Sequence, residues 1–364
     1  MAPLRWAGLL LLPACALSLD NGLARTPQMG YNSWYDLMGT INETNIKQTA
    51  DAMVDLGLVE LGYKYVNLDD CWATGRGNDG KLIADPKLWT GATLTHIADY
   101  VHSKGMLFGT YTDRGTHTCG GRPGAQGHEA LDAATYASWG VDYLKEDSCY
   151  APGDHATAFK QYGLMRDGLN KTGRPILFSL CGWSAWYAPP DPTLGYGGGK
   201  TLGNSFRIGP DDTNWNGVLT NIDINADLAP YAGPGAWNDP CLLLAETYSG
   251  SLRQTMVQTR TQFSMWAVMA SPLLISANVR AMSAYNLETY KNKEVIDVNQ
   301  DSLGQQGIRV AGGPLASRGG GNPPAHTAKC DGSANQQVSN LSLSCSLSLS
   351  LSLSLSLSVS LSLK

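Results

Sequence analysis

The sequence predicts a (β/α)8 barrel between residues 19 and 305, and three observations support this fold. Eight short apolar runs occur between about residue 28 and about residue 277, segments of helical period separate them, and carboxylates follow several of the runs. Eight such units over about 250 residues are typical of this barrel. A doubly wound parallel sheet is the main alternative, but nothing in that architecture calls for eight units.

The predicted strands are short runs rich in aliphatic and aromatic side chains. They are Met29–Trp34, Tyr65–Asp70, Leu107–Asp113, Val141–Asp147, Ile176–Cys181, Ser205–Ile208, Ala236–Asp239 and Leu273–Ser276. Two of the intervening segments show clear helical period. One predicted helix face carries Ile46, Ala50, Met53 and Val54, and another carries Leu252, Met256, Phe263 and Trp266.

The N-terminus has the pattern of a secretory signal peptide, which we predict to span residues 1–18. A basic residue precedes the apolar run Ala7–Leu12, and the small-residue pattern Ala14-Cys15-Ala16 follows it. This order matches the three regions of a cleaved signal. The chain is therefore expected to enter the secretory pathway, for export or for a lysosome or vacuole.

Beyond residue 305 the alternation of strands and helices ends. Residues 306–338 have the composition of a Gly- and Pro-rich linker, and residues 339–364 alternate Ser and Leu almost strictly. Such alternation is typical of an amphipathic strand, which is an aggregation hazard when it is unpaired. A CT-dinucleotide repeat in a gene also encodes alternating Leu and Ser. Our hypothesis is therefore a read-through or gene-model artefact, which sequencing of the transcript tests.

Charge and hydropathy exclude two classes of partner. The 26 Lys and Arg residues face 31 Asp and Glu residues, and the net charge of −5 is spread without runs. A nucleic-acid partner, which requires a basic surface, is therefore not expected. No stretch of 18 apolar residues follows the signal, so no membrane span is expected either. Two sequons, at Asn42 and Asn170, are compatible with a secreted glycoprotein.

The spacing of cysteine and histidine gives no support for a metal site. The predicted barrel holds five of the 8 cysteines without a C-x-x-C pair, and the 6 histidines form neither H-x-H nor H-E-x-x-H. The sequence therefore favours catalysis by a pair of carboxylates over catalysis by a metal. Because five is odd, at least one of these thiols is expected to be free or paired with the tail.

Carboxylates lie at the ends of the predicted strands. Asp69, Asp70, Asp113, Asp147 and Asp239 each come at the C-terminal end of their run. In a barrel this end is the active-site face. One such carboxylate is compatible with a structural role, but several at one mouth indicate acid/base chemistry or metal binding.

Two motifs favour glycoside hydrolysis. Strand alternation places Lys145 and Asp147 on one face and Glu146 on the other, and a neighbouring ammonium favours the ionised carboxylate that a nucleophile requires. A structural ion pair is an equally good interpretation. Arg207 is followed by a Gly-Pro loop with Asp211, whose more exposed carboxyl group can keep a proton. An ionised carboxylate beside a proton donor is the arrangement of glycosidases, although an Asp-rich turn is the alternative.

Six motifs occur in order along the chain: Met29–Trp34, Leu68–Trp72, Gly109–Tyr111, Tyr143–Cys149, Trp237–Pro240 and Ser271–Ser276. With them the sequence resembles glycoside hydrolase family 27, the α-galactosidase or melibiase family, whose sister activity is α-N-acetylgalactosaminidase. The resemblance covers the chain from about residue 21 to about residue 306. It implies a secreted barrel enzyme that needs no cofactor and removes terminal α-linked galactose from small galactosides or oligosaccharides with retention.

The resemblance also implies roles for single residues. Asp147 resembles the nucleophile and Asp211 the general acid/base. The implied sugar-binding residues are Trp34, which stacks on the ring, Asp69 and Asp70 for the 4- and 6-hydroxyls, Lys145 and Arg207 for neighbouring oxygens, and Tyr111, Cys181 and Gly182. Cys119 and Cys149 resemble the disulfide beside the pocket.

The chain departs from the family pattern at several positions. The usual partner of Cys71 after the first strand is missing, so Cys71 is expected to be a free thiol. The loop before Trp215 is one residue short, which leaves Asp212 as a rival to Asp211. The C-terminal antiparallel β-domain of the family is expected to be missing or replaced by the linker and tail. An inactive, truncated sugar-binding homologue and a non-folding fragment therefore remain alternatives.

The loop after the fifth strand bears on specificity. At the positions of Gly182 and Ala185, α-galactosidases of the family tend to carry Glu and Leu, whereas α-N-acetylgalactosaminidases carry smaller residues. The resemblance therefore implies a roomier pocket at the sugar's 2-position, unless Trp183 or Trp186 fills it. We expect α-galactosidase activity first, with side activity on α-GalNAc.

Overall fold

Eight parallel strands form the centre of the protein. The computed structural model describes residues 21–182, 198–245 and 254–315. The strands in these ranges are β1 (Met29–Asn32), β2 (Tyr65–Asn67), β3 (Ala73–Arg76), β4 (Leu82–Ala84), β5 (Leu107–Asp113), β6 (Tyr143–Asp147), β7 (Leu177–Leu180), β8 (Ser205–Arg207), β9 (Trp237–Asp239) and β10 (Leu273–Ile275). The helices are α1 (Trp34–Leu37), α2 (Glu43–Asp55), α3 (Thr95–Ser103), α4 (Glu129–Ser138), α5 (His155–Lys171), α6 (Trp215–Asn225), α7 (Met256–Val268), α8 (Ala284–Tyr290) and α9 (Lys293–Asn299).

The sheet closes on itself. Its strands follow the order β10-β1-β2-β5-β6-β7-β8-β9. The two ends meet through the segment after β9, where Leu243 forms a parallel bridge with Ile275. Its N–H donates to Leu274 O at 2.9 Å, and Ser276 N donates to Leu243 O at 2.9 Å. The predicted (β/α)8 barrel is therefore confirmed. Because its strands are parallel, the C-terminal ends of all of them lie at one face of the barrel.

All eight predicted strands are present, most of them one to three residues shorter than the apolar run. The sequence interpretation missed the antiparallel hairpin of β3 and β4, which follows β2 directly. Its strands are too short and too polar to show a period, so only the turn around Gly80 (φ +79°) marks it. The hairpin lies in a loop at the active-site face of the barrel.

On the two helix faces that the sequence predicted, most of the described residues are buried. The Asn42 side chain caps α2 by accepting from Asn45 N, and three of the four predicted core residues of this helix are fully buried. The fourth, Val54, is 40% exposed. On the predicted face of α7, Met256 is 44% exposed. On each of these two helix faces, one residue therefore remains open to solvent. Leu252 lies outside the described residues.

The chain after α9 lies against the barrel. Gln306 Nε2 donates to Asn225 O at 2.6 Å, and Asn238 Nδ2 donates to Gln306 Oε1 at 3.0 Å. Arg309 pairs with Asp223 at 2.8 Å. The predicted signal peptide, most of the predicted linker and the Ser-Leu tail lie outside the described residues. Within the described ranges, no helix has the length and apolar character to cross a membrane.

Candidate active site

The tips of β5 and β6 bring four inward-facing polar residues together. In the sheet register, Tyr111 lies opposite Lys145 and Asp113 opposite Asp147. Glu146 lies between Lys145 and Asp147 on β6 and faces the surrounding helices. It is fully buried, and its carboxyl group has no hydrogen-bond partner among the described residues. The alternation predicted for this strand is therefore present. It places the carboxylate of Asp147 at the barrel mouth and that of Glu146 away from it.

A cavity opens at this end of the barrel. It is lined by Trp34, Tyr35, Asp69, Asp70, Tyr111, Cys119, Lys145, Asp147, Arg207, Asp211, Cys241 and Leu242. The predicted catalytic and sugar-binding residues line it except Cys181 and Gly182. Cys181 lies behind the wall and accepts a hydrogen bond from Arg207 Nη1 at 3.6 Å. Gly182 is buried beside Cys181, and Trp183, Ala185 and Trp186 lie outside the described residues.

A wider, open groove lies between α2 and residues 86–90. Its charged groups pair with one another, as Glu43 does with Lys47 at 2.6 Å and with His96 at 3.0 Å. The smaller cavity is the candidate active site, because buried carboxylates line it at the C-terminal ends of the strands, where barrel enzymes carry their active sites.

Asp147 is one of the buried carboxylates of the cavity wall. Tyr111 Oη donates to its Oδ2 at 2.9 Å, and Ser148 N donates to its Oδ1 at 2.9 Å. Burial raises the pKa of Asp147 to about 6, against the lowering effect of the Lys145 charge and of the hydrogen bond from Tyr111. The group is therefore ionised at neutral pH and gains a proton as the pH falls through about 6.

Lys145 bonds to a neighbour of Asp147 rather than to Asp147 itself. Its Nζ lies 2.8 Å from Asp69 Oδ2, which also accepts from Asn32 Nδ2 at 2.9 Å. The two interpretations of Lys145 are thus compatible, because one ammonium forms a structural ion pair and acts on Asp147 through its charge. Burial raises the pKa of Asp70, while the N–H groups of Gly120 and Cys71 donate to it, each at 2.6 Å.

Asp211 and Asp212 have different surroundings. Arg207 Nη2 lies 2.9 Å from Asp211 Oδ1, and the Asp211 side chain remains 15% exposed on the cavity wall. Asp212 is fully buried, accepts from Gln262 Nε2 at 2.9 Å and does not line the cavity. Of the two rivals, only Asp211 can reach a molecule in the cavity.

The cysteines differ from the sequence prediction at one position. Cys119 and Cys149 form a disulfide, and the thiols of Cys181 and Cys241 are free and buried. Cys71 is disulfide-bonded, so the prediction of a free thiol at Cys71 was wrong. That prediction considered only the segment after the first strand as the place for a partner, although cysteines elsewhere in the chain were available.

Three wall residues were missed by the sequence interpretation: Tyr35, Cys241 and Leu242. Each follows a predicted strand end by one to three residues, so a search just beyond the strand ends finds them. Cys241 has a left-handed backbone with φ +94°. Its N–H donates to Asp239 Oδ1 at 2.9 Å, and its carbonyl accepts from Trp266 Nε1 at 2.8 Å.

A parallel barrel whose mouth presents one enclosed carboxylate and a second, more exposed one, among cationic and aromatic side chains, defines a glycoside hydrolase class of site. Residues 26–301 match the family model described as Alpha galactosidase A. The chain belongs to this melibiase family, glycoside hydrolase family 27.

Named relatives extend the comparison. The chain is 48% identical over 297 residues to Alpha-galactosidase 3 of Arabidopsis thaliana, covering 81% of this chain and 64% of that one. It is 45% identical over 294 residues to the Alpha-galactosidase of Cyamopsis tetragonoloba, covering 80% and 68%. The solved structure of the α-galactosidase from Saccharomyces cerevisiae with raffinose superposes with a TM-score of 0.71 at 36% identity, covering 80% and 68%. The chain thus spans about two thirds of the length of these relatives.

Proposed function

We propose that this chain is a retaining exo-α-galactosidase that hydrolyses terminal α-D-galactosyl residues. The observation that carries the proposal is the pair Asp147 and Asp211 on one cavity wall of a family 27 barrel. Relatives at 45–48% identity bear the name α-galactosidase, and the yeast enzyme of that name was solved with raffinose.

The two carboxyl groups suit the two steps of a retaining mechanism. Ionised Asp147 attacks the anomeric carbon, while protonated Asp211 gives its proton to the departing glycosidic oxygen. This forms a covalent galactosyl ester on Asp147 and releases the aglycone as an alcohol. Asp211, now ionised, takes a proton from water, which attacks the anomeric carbon and releases galactose of unchanged configuration.

The remaining wall residues suit the binding of a single sugar ring. Asp69 and Asp70 offer carboxylate oxygens, which accept hydrogen bonds from hydroxyl groups, and Lys145 and Arg207 offer donors. Trp34 offers a flat apolar face for the ring. Because core side chains fill the barrel below these residues, the cavity is open only at its mouth, as exo action requires.

Substrate preference tests the proposal directly. Hydrolysis of a chromogenic α-galactoside is measured beside its β-anomer and its 2-acetamido analogue. Turnover of the α-galactoside alone, or well ahead of the analogue, supports the proposal. Binding of galactose without any turnover would instead identify an inactive sugar-binding homologue.

Azide rescue separates the two catalytic roles. Removal of the nucleophile in Asp147→Gly lets azide attack the substrate directly, so the product is β-galactosyl azide. In Asp211→Gly, azide attacks the galactosyl ester on Asp147, so the product is α-galactosyl azide. Asp212→Gly is the matched control, and neither azide is expected from it. The same azide anomer from the variants of Asp147 and Asp211 would contradict the assignment.

Side activity on α-GalNAc is the second candidate function. It is favoured by the resemblance, which implies that Gly182 faces the sugar's 2-position, where a glycine offers no side chain to a hydroxyl group. A missing hydrogen bond there, of about 0.5–1.5 kcal/mol, raises KM for plain galactosides modestly. The double variant Gly182→Glu/Ala185→Leu should raise the ratio of galactosidase to N-acetylgalactosaminidase activity, and an unchanged ratio excludes this loop as the selector.

We also propose passage through the secretory pathway. The Cys119–Cys149 disulfide supports this location, because disulfides form and persist in oxidising compartments. Expression of the full chain with a tag at its C-terminus, followed by sequencing of the mature N-terminus from the medium, tests both export and cleavage near residue 18.

A further inference from the structure

One buried carboxyl group beside the nucleophile has no part in the mechanism above. Asp113 ends β5, lies opposite Asp147 in the register and is fully buried. It does not line the cavity, so it does not reach a substrate. Burial of a carboxyl group is costly unless its oxygens are hydrogen-bonded, so its partners indicate what it does.

Both oxygens of Asp113 accept from backbone N–H groups of two different loops. Gly115 N donates to Oδ1 at 2.7 Å, in the loop after β5. Cys149 N donates to Oδ2 at 2.7 Å, in the turn after β6, two residues beyond Asp147. One carboxyl group thus fixes the turn that follows the nucleophile to the strand beside it.

Further contacts join the loop after β5 to the turn after β6. Arg114 N donates to Asp147 O at 3.0 Å, and Arg114 Nε donates to Ser148 Oγ at 2.8 Å. A Cβ atom on Gly115 would collide with the carbonyl of Tyr150, so the close approach depends on this glycine. Cys149 is therefore held by its backbone through Asp113 and by its side chain through the disulfide.

We propose that Asp113 is a positioning residue: it holds the turn after β6 against the β5 loop and so keeps Asp147 aimed into the cavity. β5 then acts on the nucleophile twice, because Tyr111 of the same strand bonds its carboxylate. This inference rests on the proposed function of Asp147 as nucleophile.

The charges around Asp113 give this role a pH dependence. The groups that face it are Asp147 and Glu146 of β6, Asp70 after β2, and Tyr111 and Arg114 of its own segment. Arg114 is the single cation among them. Burial and the charge of Asp147 raise the pKa of Asp113 to about 8, above that of Asp147. The two neighbouring carboxyl groups therefore do not lose their protons together, and the second negative charge appears only at alkaline pH.

The sign of the effect follows from that raised pKa. The folded protein binds the Asp113 proton more tightly than the unfolded chain does, so this contribution to stability is lost as the pH rises through about 8. Above that pH a second negative charge lies beside Asp147 and loosens the joined loops. Activity is therefore expected to fall on the alkaline side because Asp113 ionises.

Asp113→Asn tests the proposal. The amide accepts one backbone N–H but turns its own NH2 group toward the other, so one loop is released. We expect kcat to fall on the order of 10- to 100-fold, as for a misplaced catalytic group, with KM changed less. With an activated aryl α-galactoside, whose leaving group needs little help from the acid Asp211, the alkaline decline of kcat/KM near pH 8 should disappear, because the neutral amide cannot ionise.

Asp85→Asn is the matched control. Asp85 is also a buried carboxylate that accepts a backbone N–H, from Lys87 at 2.9 Å, but it lies outside the cavity. The Asp85→Asn variant is expected to have a lower melting temperature than the wild type but the same pH profile of kcat/KM. If Asp113→Asn behaves like Asp85→Asn, Asp113 has a structural role alone and the proposal is wrong. An inactive wild-type enzyme would instead overturn the proposed function.

Discussion

Tyr111→Phe removes the only side-chain hydrogen bond that Asp147 receives from the described residues, and its effect can be estimated. Tyr111 Oη donates to Asp147 Oδ2 at 2.9 Å, in a fully buried place. A hydrogen bond to a charged group contributes about 1.5–3 kcal/mol, and about 1.36 kcal/mol corresponds to one pKa unit. Because this bond favours the ionised form, its loss raises the pKa of Asp147 by about 1–2 units, from about 6.

The assay is kcat/KM for a chromogenic α-galactoside against pH, since this ratio reports the free enzyme. The acid limb should move upward by the same one to two units, so the variant loses about 5- to 50-fold near pH 6 and much less near neutral pH. Tyr63→Phe is the matched control, because Tyr63 is equally buried and donates to Tyr290 O at 2.8 Å, far from the cavity. An acid limb that is unchanged in Tyr111→Phe would refute the reasoning.

Two further predictions concern the cysteines. Cys149→Ser breaks the disulfide and should cost about 2–5 kcal/mol in the free energy of unfolding, measured with denaturant, together with a fall in kcat; a variant of wild-type activity would contradict the link to Asp147. Methyl methanethiosulfonate should inactivate the enzyme slowly, and faster as the pH rises, because burial raises the pKa of the Cys241 thiol on the cavity wall. Galactose should protect, and Cys241→Ser should resist whereas Cys181→Ser should not; equal resistance would place the reactive thiol elsewhere.

The sequence predicted the barrel because each strand carries its own apolar run. It also predicted which face of β6 reaches the mouth, because alternation in a strand is a local property. The hairpin of β3 and β4 was missed because two short polar strands carry no such period. The exposure of Val54 could not be predicted either, since the edge of an apolar stripe depends on what packs beside the helix.

The site shows the same division. The position of Asp147 at a strand end could be predicted, but its raised pKa could not, because burial by residues distant in sequence causes it. The disulfide bond of Cys71 and the two backbone donors on Asp113 also depend on segments that only the fold brings together. Contacts of this kind join two loops, and no single motif contains both partners.

The arrangement of charge in the cavity leads to a last prediction. Lys145 pairs with Asp69 and Arg207 pairs with Asp211, so neither cation bonds directly to Asp147. Burial raises the pKa of Asp147; in addition, the Lys145 charge lowers it from a distance and the charges of Asp211 and Asp69 raise it.

Two variants of this pair should move the acid limb of kcat/KM in opposite directions. Lys145→Met removes the lowering charge, so Asp147 gains its proton at higher pH. Asp69→Asn removes the raising charge and leaves Lys145 free to act on Asp147, so Asp147 stays ionised at lower pH. Both variants weaken sugar binding, which lowers kcat/KM at every pH but does not move its acid limb, because that limb reports the free enzyme. A shift of the same sign in both variants would therefore show that this charge balance does not set the ionisation of Asp147. Opposite shifts are expected because the Lys145 ammonium bonds to Asp69 and acts on Asp147 through space.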